Sequence, residues 1–224
     1  MVIKNNIAIV CSLAMFSMSS CFQIIEEITL KNNGSGEMQI TLNCSQSKSK
    51  LASVMLLDSV NGHKIPGEKD MLQFMNEAVD FLKKSQGITN VQKKLDLKNY
   101  IASVSFSFKD VASINGITKK LLEEQKFKSS YNSYFFEKGK GSFKRTYQYS
   151  PEMKSSFSKL KEKDQEIFKS ASYTSITRFE NKINSSSNKA AIISASGKAI
   201  MLKAAAMDLI NGKTNISNNI QLTQ

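Results

Sequence analysis

Apolar and polar residues alternate in several segments of the chain, and this period of two predicts β-strands. Alternating residues at 24–31 and 38–42 flank the segment Asn32-Asn33-Gly34-Ser35-Gly36. Asparagine and glycine tolerate the positive φ of tight turns, so the three segments together predict a β-hairpin. The clearest alternation lies at 102–108, where alanine, valine and phenylalanine alternate with serine, and its predicted partner strand is 89–97.

Other segments have apolar residues three and four positions apart, which is the period of an α-helix. This spacing predicts helices over 47–60 and 70–86, and Gly87 is expected to end the second. Residues 61–67, Asn-Gly-His-Lys-Ile-Pro-Gly, are rich in turn formers and predict a loop between the two helices. The residues predicted to face inward on the second helix are Met71, Met75, Ala78, Val79 and Leu82.

Two further helices are predicted from the residues that begin them. Asp110 is a good N-cap for a helix that reaches about Gln125. Pro151 is tolerated in the first turn of another helix, because the proline nitrogen would have no helical partner there. The inward-facing residues of this helix are predicted to be Met153, Phe157, Leu160 and Ile167.

The remaining segments predict strands and one short helix. Two strands flank Gly139-Lys140-Gly141, and Ser185 to Asn188 is predicted to be a loop tip. Further strands are expected at 173–183, 190–195, 199–202 and 216–222, with a short helix at 207–210. Successive hairpins with intervening helices predict an α+β fold, in which an antiparallel β-sheet has helices packed mainly on one face.

The first residues of the chain form a different kind of segment. After one lysine near the start, residues 7–18 are almost wholly apolar and end at the small pair Ser19-Ser20. A membrane-spanning helix needs about 20 apolar residues, so this shorter run predicts a cleavable signal peptide. The residue after the small pair is Cys21, and Met18-Ser19-Ser20-Cys21 resembles the lipobox of bacterial lipoproteins.

The lipobox resemblance implies a lipid anchor on Cys21. It implies diacylglyceryl transfer to the Cys21 thiol, cleavage before this residue, and acylation of the freed amine by a fatty acid such as palmitate. Residues 1–20 are then a lipoprotein signal peptide, and 21–224 are expected to form a single membrane-tethered α+β domain. Met18 stands where leucine is usual, which leaves open an ordinary signal peptide followed by a coincidental cysteine.

Export to the cell envelope changes the interpretation of charge and cysteine content. The formal net charge is +12, yet Arg145 and Arg178 are the two arginines and the other basic residues are lysines. Export and the scarcity of arginine argue against nucleic acid as a partner. Anionic lipid headgroups remain a possible partner, with simple solvation as the alternative. Cys11 would leave with the signal peptide and Cys21 would carry lipid, so Cys44 has no cysteine left to form an internal disulfide. Cys44 is predicted to pack as a small hydrophobe, with a reactive thiol as the alternative.

The residues that could act in catalysis or bind a metal or phosphate do not form a complete motif in the sequence. His63 is the single histidine and is predicted to be a solvated loop residue, so no zinc site or histidine-based triad is expected. Asn211-Gly212-Lys213-Thr214 lacks the earlier glycine of a phosphate loop and predicts a helix end. The adjacent Glu26 and Glu27 should point to opposite faces of a strand, while Glu123-Glu124 and the Asp164/Glu166 pair indicate solvated helix faces.

No metal, cofactor or enzymatic activity is therefore expected, although an active site assembled from distant carboxylates stays open. Two short motifs resemble features of surface lipoproteins in Bacteroidetes-type bacteria. Glu26-Glu27 resembles an acidic export tag, with exposed strand acids as the alternative, and Asp58-Ser59-Val60 resembles an O-glycosylation tripeptide.

The first mature residues also resemble a group of uncharacterised α+β envelope lipoproteins that includes the mycobacterial LppM type. The resemblance covers Phe22 to Cys44, where an acidic strand, a Gly-Ser-Gly turn and an alternating strand follow the lipid cysteine. It implies an envelope domain and transfers no functional residue except Cys21. Phe22 replaces the aspartate that retains lipoproteins at the inner membrane of enterobacteria, which favours the outer membrane.

The function expected from these observations is that of a non-catalytic lipoprotein that binds an envelope partner or supports envelope organisation. The alternative is a lipid-binding or lipid-chaperoning domain with an apolar cavity between sheet and helices. The side chains that could line such a cavity, or else form ordinary core, are Phe106, Phe108, Phe136 and Phe143.

Overall fold

A computed structural model describes residues 22–57, 59–60, 63–115, 117 and 131–224. Cys21, Asp58 and the pair Glu123-Glu124 lie outside the described residues. Most of the helix predicted from Asp110 also lies outside them, and its described helical residues are 113–115 and 117. None of the described helices is both long enough and apolar enough to cross a bilayer.

The described strands and helices are numbered here in chain order. The strands are β1 (Gln23–Leu30), β2 (Gly36–Asn43), β3 (Ser59–Val60), β4 (His63–Lys64), β5 (Ile88–Asp96), β6 (Ile101–Phe108), β7 (Tyr131–Glu137), β8 (Ser142–Gln148), β9 (Ser172–Phe179), β10 (Ile183–Ser186), β11 (Ile192–Ile193), β12 (Ala199–Ala205) and β13 (Asn218–Leu222). The helices are α1 (Lys48–Val54), α2 (Glu68–Lys83), α3 (Pro151–Ser158), α4 (Glu162–Lys169) and α5 (Ala206–Ile210). The predicted α+β class is confirmed.

The strands form two larger sheets and one small hairpin. A seven-stranded sheet has the order β11-β12-β9-β1-β2-β6-β5, and a four-stranded sheet has the order β10-β13-β8-β7. Every pairing in the two sheets is antiparallel except that of β1 with β9, which is parallel over eight residue pairs. The first strand of the domain is therefore the central strand of the large sheet.

The hairpin predicted at the start of the domain is confirmed, and glycines explain its tight turn. β1 and β2 are antiparallel in continuous register from Gln23 opposite Asn43 to Leu30 opposite Gly36. Gly34 has a φ of +84°, which side chains other than glycine rarely adopt. A Cβ on Gly36 would lie 2.0 Å from the Thr29 carbonyl oxygen, so this position also needs glycine.

The main hydrophobic core lies between the inner faces of the two sheets. Phe143 of the small sheet packs edge-to-face against Phe179 of the large sheet, with ring centres 5.6 Å apart. Buried residues contributed by both sheets include Ile28, Leu30, Phe106, Phe136, Ile200, Ile220 and Leu222. The second sheet thus covers the face of the large sheet that the sequence pattern predicts to be covered by helices. The pattern does not predict this arrangement, because the strand pairings of the second sheet join residues far apart in the chain.

Helix α2 packs on β5 and β6 beside this core. Its buried residues are Met75, Val79 and Leu82, as the helical spacing predicts, while Met71 and Ala78 are half-buried. Lys93 on β5 donates a hydrogen bond to the Asn76 side chain of the helix. The helix ends at Lys83, four residues before Gly87, whose φ of +79° places it in the turn that leads into β5.

The single helix predicted from Pro151 is wrong, because the chain breaks between α3 and α4. The rings of Phe157 and Phe168 stack edge-to-face with centres 5.6 Å apart. Eleven residues in one straight helix would separate them by about 16 Å along the axis. The chain folds back at Lys159 to Lys161 to bring these rings together, and Leu160 and Ile167 are exposed rather than inward.

Four smaller predictions also need correction. The helix predicted over 47–60 ends at Val54, and Ser59–Val60 pairs with His63–Lys64 as a short antiparallel hairpin, so 61–67 is not wholly loop. The Asn-Gly sequence between these strands is itself a hairpin signal. The strand predicted over 173–183 is divided, because β9 lies in the large sheet and β10 in the small one. Ser185 and Ser186 belong to β10 rather than to a loop tip.

Candidate functional site

A buried polar cluster links the two sheets, and its centre is Glu26 of β1. The Tyr134 hydroxyl donates a hydrogen bond to Glu26 Oε1 at 2.8 Å, and Arg145 Nη1 lies 3.5 Å from the same oxygen. Glu26 and Arg145 are only 6% and 5% exposed. The expectation that both acids of Glu26-Glu27 are exposed is therefore wrong for Glu26.

Arg145 on β8 holds the cluster together through several contacts. Its Nη2 donates to the Tyr173 hydroxyl at 2.5 Å, and its Nε donates to Asn132 Oδ1 at 3.0 Å. The guanidinium carbon lies 5.8 Å from the ring centre of Tyr134 and 5.4 Å from that of Tyr173. These distances fit cation–π contacts with both rings, so the arginine is held by hydrogen bonds, charge and aromatic faces at once.

Electrostatics fixes the protonation states of the two tyrosines and the arginine of the cluster. Burial, with a further contribution from the Glu26 carboxylate, raises the pKa of Tyr134 and of Tyr173 well above the ordinary value. Burial alone would lower the pKa of Arg145, but Glu26 and the two phenols outweigh that effect and raise it. The tyrosines therefore stay neutral and the arginine stays charged across the physiological range.

The raised pKa values of Tyr134, Tyr173 and Arg145 do not suit these side chains to proton transfer. A general acid or base works best with a pKa near the ambient pH, and neither tyrosine nor Arg145 meets that condition. The adjacent cavity has a volume of about 20 Å³ and is lined partly by Arg145, Ser175, Thr177 and Asn218. That volume is enough for one water molecule and too small for a substrate.

The position of Glu26 in the sequence is itself a signal for this buried cluster. Glu26 lies between Ile24 and Ile28 on the apolar side of an alternating strand, and a charge in such a position needs a buried partner. The two arginines of the chain pair with the two adjacent glutamates: Arg145 with Glu26 and Arg178 with Glu27. The partner strand could not be predicted, because Glu26 and Arg145 are 119 positions apart in the chain and no local pattern links them.

Glu27 points to the opposite face of the sheet, as predicted, and lies at an open polar groove. Arg178 Nη2 donates to Glu27 Oε1 at 2.8 Å, and both side chains are partly exposed. The groove has a volume of about 200 Å³, and its other lining residues are Thr29, Glu37, Met38, Gln39 and Ser105. It is a solvated outer face rather than an enclosed site.

The inner face of the large sheet is covered only in part. Ile28, Leu30 and Met38 are at most 4% exposed. Further along the same two strands, Ile24, Ile40 and Leu42 are 38%, 43% and 44% exposed. Since β1 and β2 each have neighbouring strands on both sides, these side chains are exposed from the face of the sheet. We call Ile24, Ile40 and Leu42 the open strip.

The remaining residues singled out by sequence are dispersed. Cys44 is half-buried at the end of β2, where its backbone nitrogen donates to the Tyr100 carbonyl. His63 is in β4 and pairs with Val60. Glu166 lies on the exposed face of α4 beside Lys169. Within the described ranges, no three histidine, cysteine or carboxylate side chains lie close enough together to hold a metal ion.

The glycine-lysine motif near the end of the chain is a helix terminus, as predicted. Helix α5 ends at Ile210, and Gly212 has a φ of +67°. The Lys213 nitrogen donates to the Asp208 carbonyl at 2.8 Å, so this backbone closes the helix rather than surrounding a phosphate.

Comparisons with known proteins give a distant structural likeness. No protein-family model matches the sequence, and no curated protein matches it. Among solved structures, the chain is similar to the folded domain of LppM from Mycobacterium tuberculosis, determined by NMR, with a TM-score of 0.46 and 10% sequence identity. The alignment covers 92% of each chain. At this identity the likeness concerns the backbone path, and no residue role is transferred from it.

Proposed function

We propose that this protein is a lipid-anchored lipoprotein of the cell envelope, whose domain binds a partner or supports envelope organisation without catalysing a reaction. The observation on which this depends is the sequence Met18-Ser19-Ser20-Cys21 at the end of a short apolar run. β1 begins at Gln23, two residues after the proposed acylated cysteine. An anchor at Cys21 would therefore hold the folded domain against the membrane with almost no linker.

The geometry of the buried cluster supports a non-catalytic role. Glu26 is engaged by Tyr134 and Arg145, and the neighbouring cavity admits no more than a water molecule. Glu27 forms an exposed ion pair with Arg178 on the outer face. Both glutamates of this strand are thus engaged by arginine, and a partner protein of the envelope is the ligand class we propose.

The lipid-binding alternative has less support from the described residues. Phe106, Phe108, Phe136 and Phe143 are all at most 8% exposed and belong to the packed core. A larger open groove of about 650 Å³ lies beside the end of α2, but its lining is mostly lysine, serine and glutamine. Pockets for apolar ligands are lined predominantly by hydrophobic side chains, so this groove does not match that chemistry.

Mass spectrometry of the protein extracted from its own membranes tests the anchor. We expect a denatured mass equal to residues 21–224 plus acyl chains, and membrane fractionation should place the protein in the outer membrane. The variant Cys21→Ser should retain residues 1–20 and have no acyl mass. Cys44→Ser is the matched control and should show the wild-type processing and acylation.

The same measurement separates the alternatives. A Cys21→Ser variant that is cleaved as in the wild type would show an ordinary signal peptide and contradict the lipid anchor. A native mass that exceeds the denatured mass by a lipid would favour the lipid-binding alternative. Equal native and denatured masses would leave a partner protein as the ligand to identify by cross-linking in intact envelopes.

A further inference from the structure

The open strip is an aliphatic surface on the central strands of the large sheet. Ile24 of β1 lies directly opposite Leu42 of β2, and Ile40 occupies the next inward position on β2. The same face is buried only a few residues away at Ile28 and Met38. Contiguous exposed apolar side chains on a folded domain commonly mark a site of interaction with a protein or a membrane.

The position of the strip relative to Cys21 identifies what could cover it. Ile24 is three residues after Cys21, so the two are separated by about 10 Å of extended chain at most. That separation is smaller than the thickness of a bilayer leaflet with its headgroups. A lipid anchor on Cys21 would therefore bring the strip to the surface of the membrane that holds the anchor.

The adjoining segment has the charge that an anionic membrane surface attracts. Residues 44–57 include Lys48 and Lys50, both exposed, and contain no aspartate or glutamate. Lys48 Nζ lies 3.4 Å from Asn99 Oδ1, and the Cys44 nitrogen donates to the Tyr100 carbonyl. These contacts hold the beginning of the segment at the end of β2, next to Leu42 of the open strip.

Two further features, in the segment after α1 and in the turn between β5 and β6, bear on membrane affinity. Leu56 and Leu57, just after α1, are 86% and 52% exposed. Lys98 is exposed in the turn between β5 and β6, and Asp96 is the acid beside it. Hydrogen bonds from the Asn99 side chain and backbone lower the pKa of Asp96, so one negative charge offsets part of the lysine charge there. Exposed aliphatic residues together with lysines are typical of surfaces that lie in the membrane interface.

We propose that the open strip rests on the membrane that holds the acylated Cys21, as a second contact beside the lipid anchor. This inference depends on the proposed function, because the lipid anchor on Cys21 is what brings this end of the sheet to the bilayer. The contact would fix the orientation of the domain, with Ile40 and Leu42 toward the lipid and the polar groove at Glu27 and Arg178 away from it.

Fluorescence quenching by brominated lipids tests the proposal on the full-length acylated protein. In a Cys44→Ser background, Ile40→Cys or Leu42→Cys is labelled with a small fluorophore and reconstituted into vesicles of phosphatidylethanolamine and phosphatidylglycerol. Gln39→Cys is the matched control, since Gln39 is next to Ile40 on the same strand and lines the polar groove on the opposite face. Brominated acyl chains should cause a loss of fluorescence at positions 40 and 42 and none at position 39.

Other outcomes would overturn membrane docking. Labels at 40 and 42 that remain unquenched and accessible to a polar quencher would show an uncovered strip. Labels protected from the polar quencher but not quenched by lipid would show that protein covers it. The mass of the same sample reports acylation independently, so docking can fail while the anchor at Cys21 stands. Circular dichroism of each labelled variant verifies that the domain is folded.

Discussion

At the scale of single residues, the two adjacent glutamates of β1 show how burial changes the contribution of a glutamate–arginine ion pair to stability. Glu26 and Glu27 each pair with an arginine, yet Glu26 and Arg145 are buried whereas Glu27 and Arg178 are partly exposed. A buried charge that loses its partner keeps its desolvation cost, whereas an exposed charge is solvated by water. The same substitution at the two neighbours should therefore have very different effects.

Glu26→Gln should lower the free energy of unfolding by about 3–5 kcal/mol, because Arg145 would remain buried without its counter-charge. Glu27→Gln is the matched control and should cost about 0–1 kcal/mol, as expected for an exposed ion pair. Denaturant unfolding followed by circular dichroism measures both values. Equal losses in the two variants would contradict a structural role for the buried pair.

The raised pKa values of Tyr134 and Tyr173 predict a specific loss of stability in alkali. The unfolded chain releases these phenolic protons near pH 10 while the folded chain retains them, so stability is intact below that pH and falls above it. Tyr134→Phe should unfold more easily at neutral pH, by about 1–3 kcal/mol, because Glu26 loses a hydrogen-bond donor.

The test compares the denaturant midpoint of wild type and Tyr134→Phe from neutral pH to above pH 10. The variant should lose less stability over the alkaline part of the range, since one phenol that must stay protonated is absent. Tyr173→Phe should show the same reduced slope. Parallel curves for all three proteins would show that these phenols do not govern alkaline unfolding.

At the scale of elements, local patterns predicted the hairpins and missed the pairings between distant strands. The β1–β2, β5–β6 and β7–β8 hairpins join neighbouring segments, so alternation and turn residues were sufficient. The parallel pairing of β1 with β9 joins residues 149 positions apart, from Gln23 to Ser172, and leaves no local signal. The break between α3 and α4 was missed because it depends on the contact of Phe157 with Phe168.

The same reasons explain what could be predicted of the candidate sites. Opposite orientations of Glu26 and Glu27 follow from strand geometry, and the structure confirms them. The partners of Glu26 lie on β7, β8 and β9, so the buried cluster depends on tertiary pairing. The open strip was not predicted because the sequence pattern of Ile40 and Leu42 is that of a covered strand. The proposed acylation of Cys21 remains a prediction from the sequence alone.

Gly36→Ala should disrupt the β1–β2 hairpin. The added Cβ would lie 2.0 Å from the Thr29 carbonyl oxygen and 2.7 Å from the Phe108 ring, and backbone cannot yield as a flexible side chain can. We expect a loss of about 1–3 kcal/mol in the free energy of unfolding. Gly139→Ala is the matched control, since a Cβ there meets nothing within 4 Å, and it should leave the unfolding midpoint unchanged.

At the scale of the whole molecule, the two sheets depend on each other through the order in which the chain visits them. The chain passes from β9 in the large sheet to β10 in the small sheet, returns to β11 and β12, and ends in β13 of the small sheet. β13 lies between β10 and β8, and its Ile220 and Leu222 are at most 3% exposed. The last described strand therefore completes the core that the first strand begins.

Deletion of residues 218–224 should prevent stable folding. It removes two fully buried aliphatic side chains, each contributing about 1.5–3 kcal/mol, together with the pairings that join β8 to β10. Natural domains have only about 5–15 kcal/mol of total stability. Circular dichroism and resistance to limited proteolysis measure the effect. Deletion of Gln224 alone is the control and should retain the folded signal. A protease-resistant protein that ends at residue 217 would contradict this prediction.

The central position of β1 determines how the domain would respond to mechanical load. A pull transmitted through an anchor at Cys21 enters at the beginning of β1, which is bonded along its length to β2 on one side and β9 on the other. Inter-strand hydrogen bonds run across the strands, so this force shears both ladders at once instead of opening them one bond at a time. The domain should therefore resist extraction by tension better than a domain anchored through an edge strand.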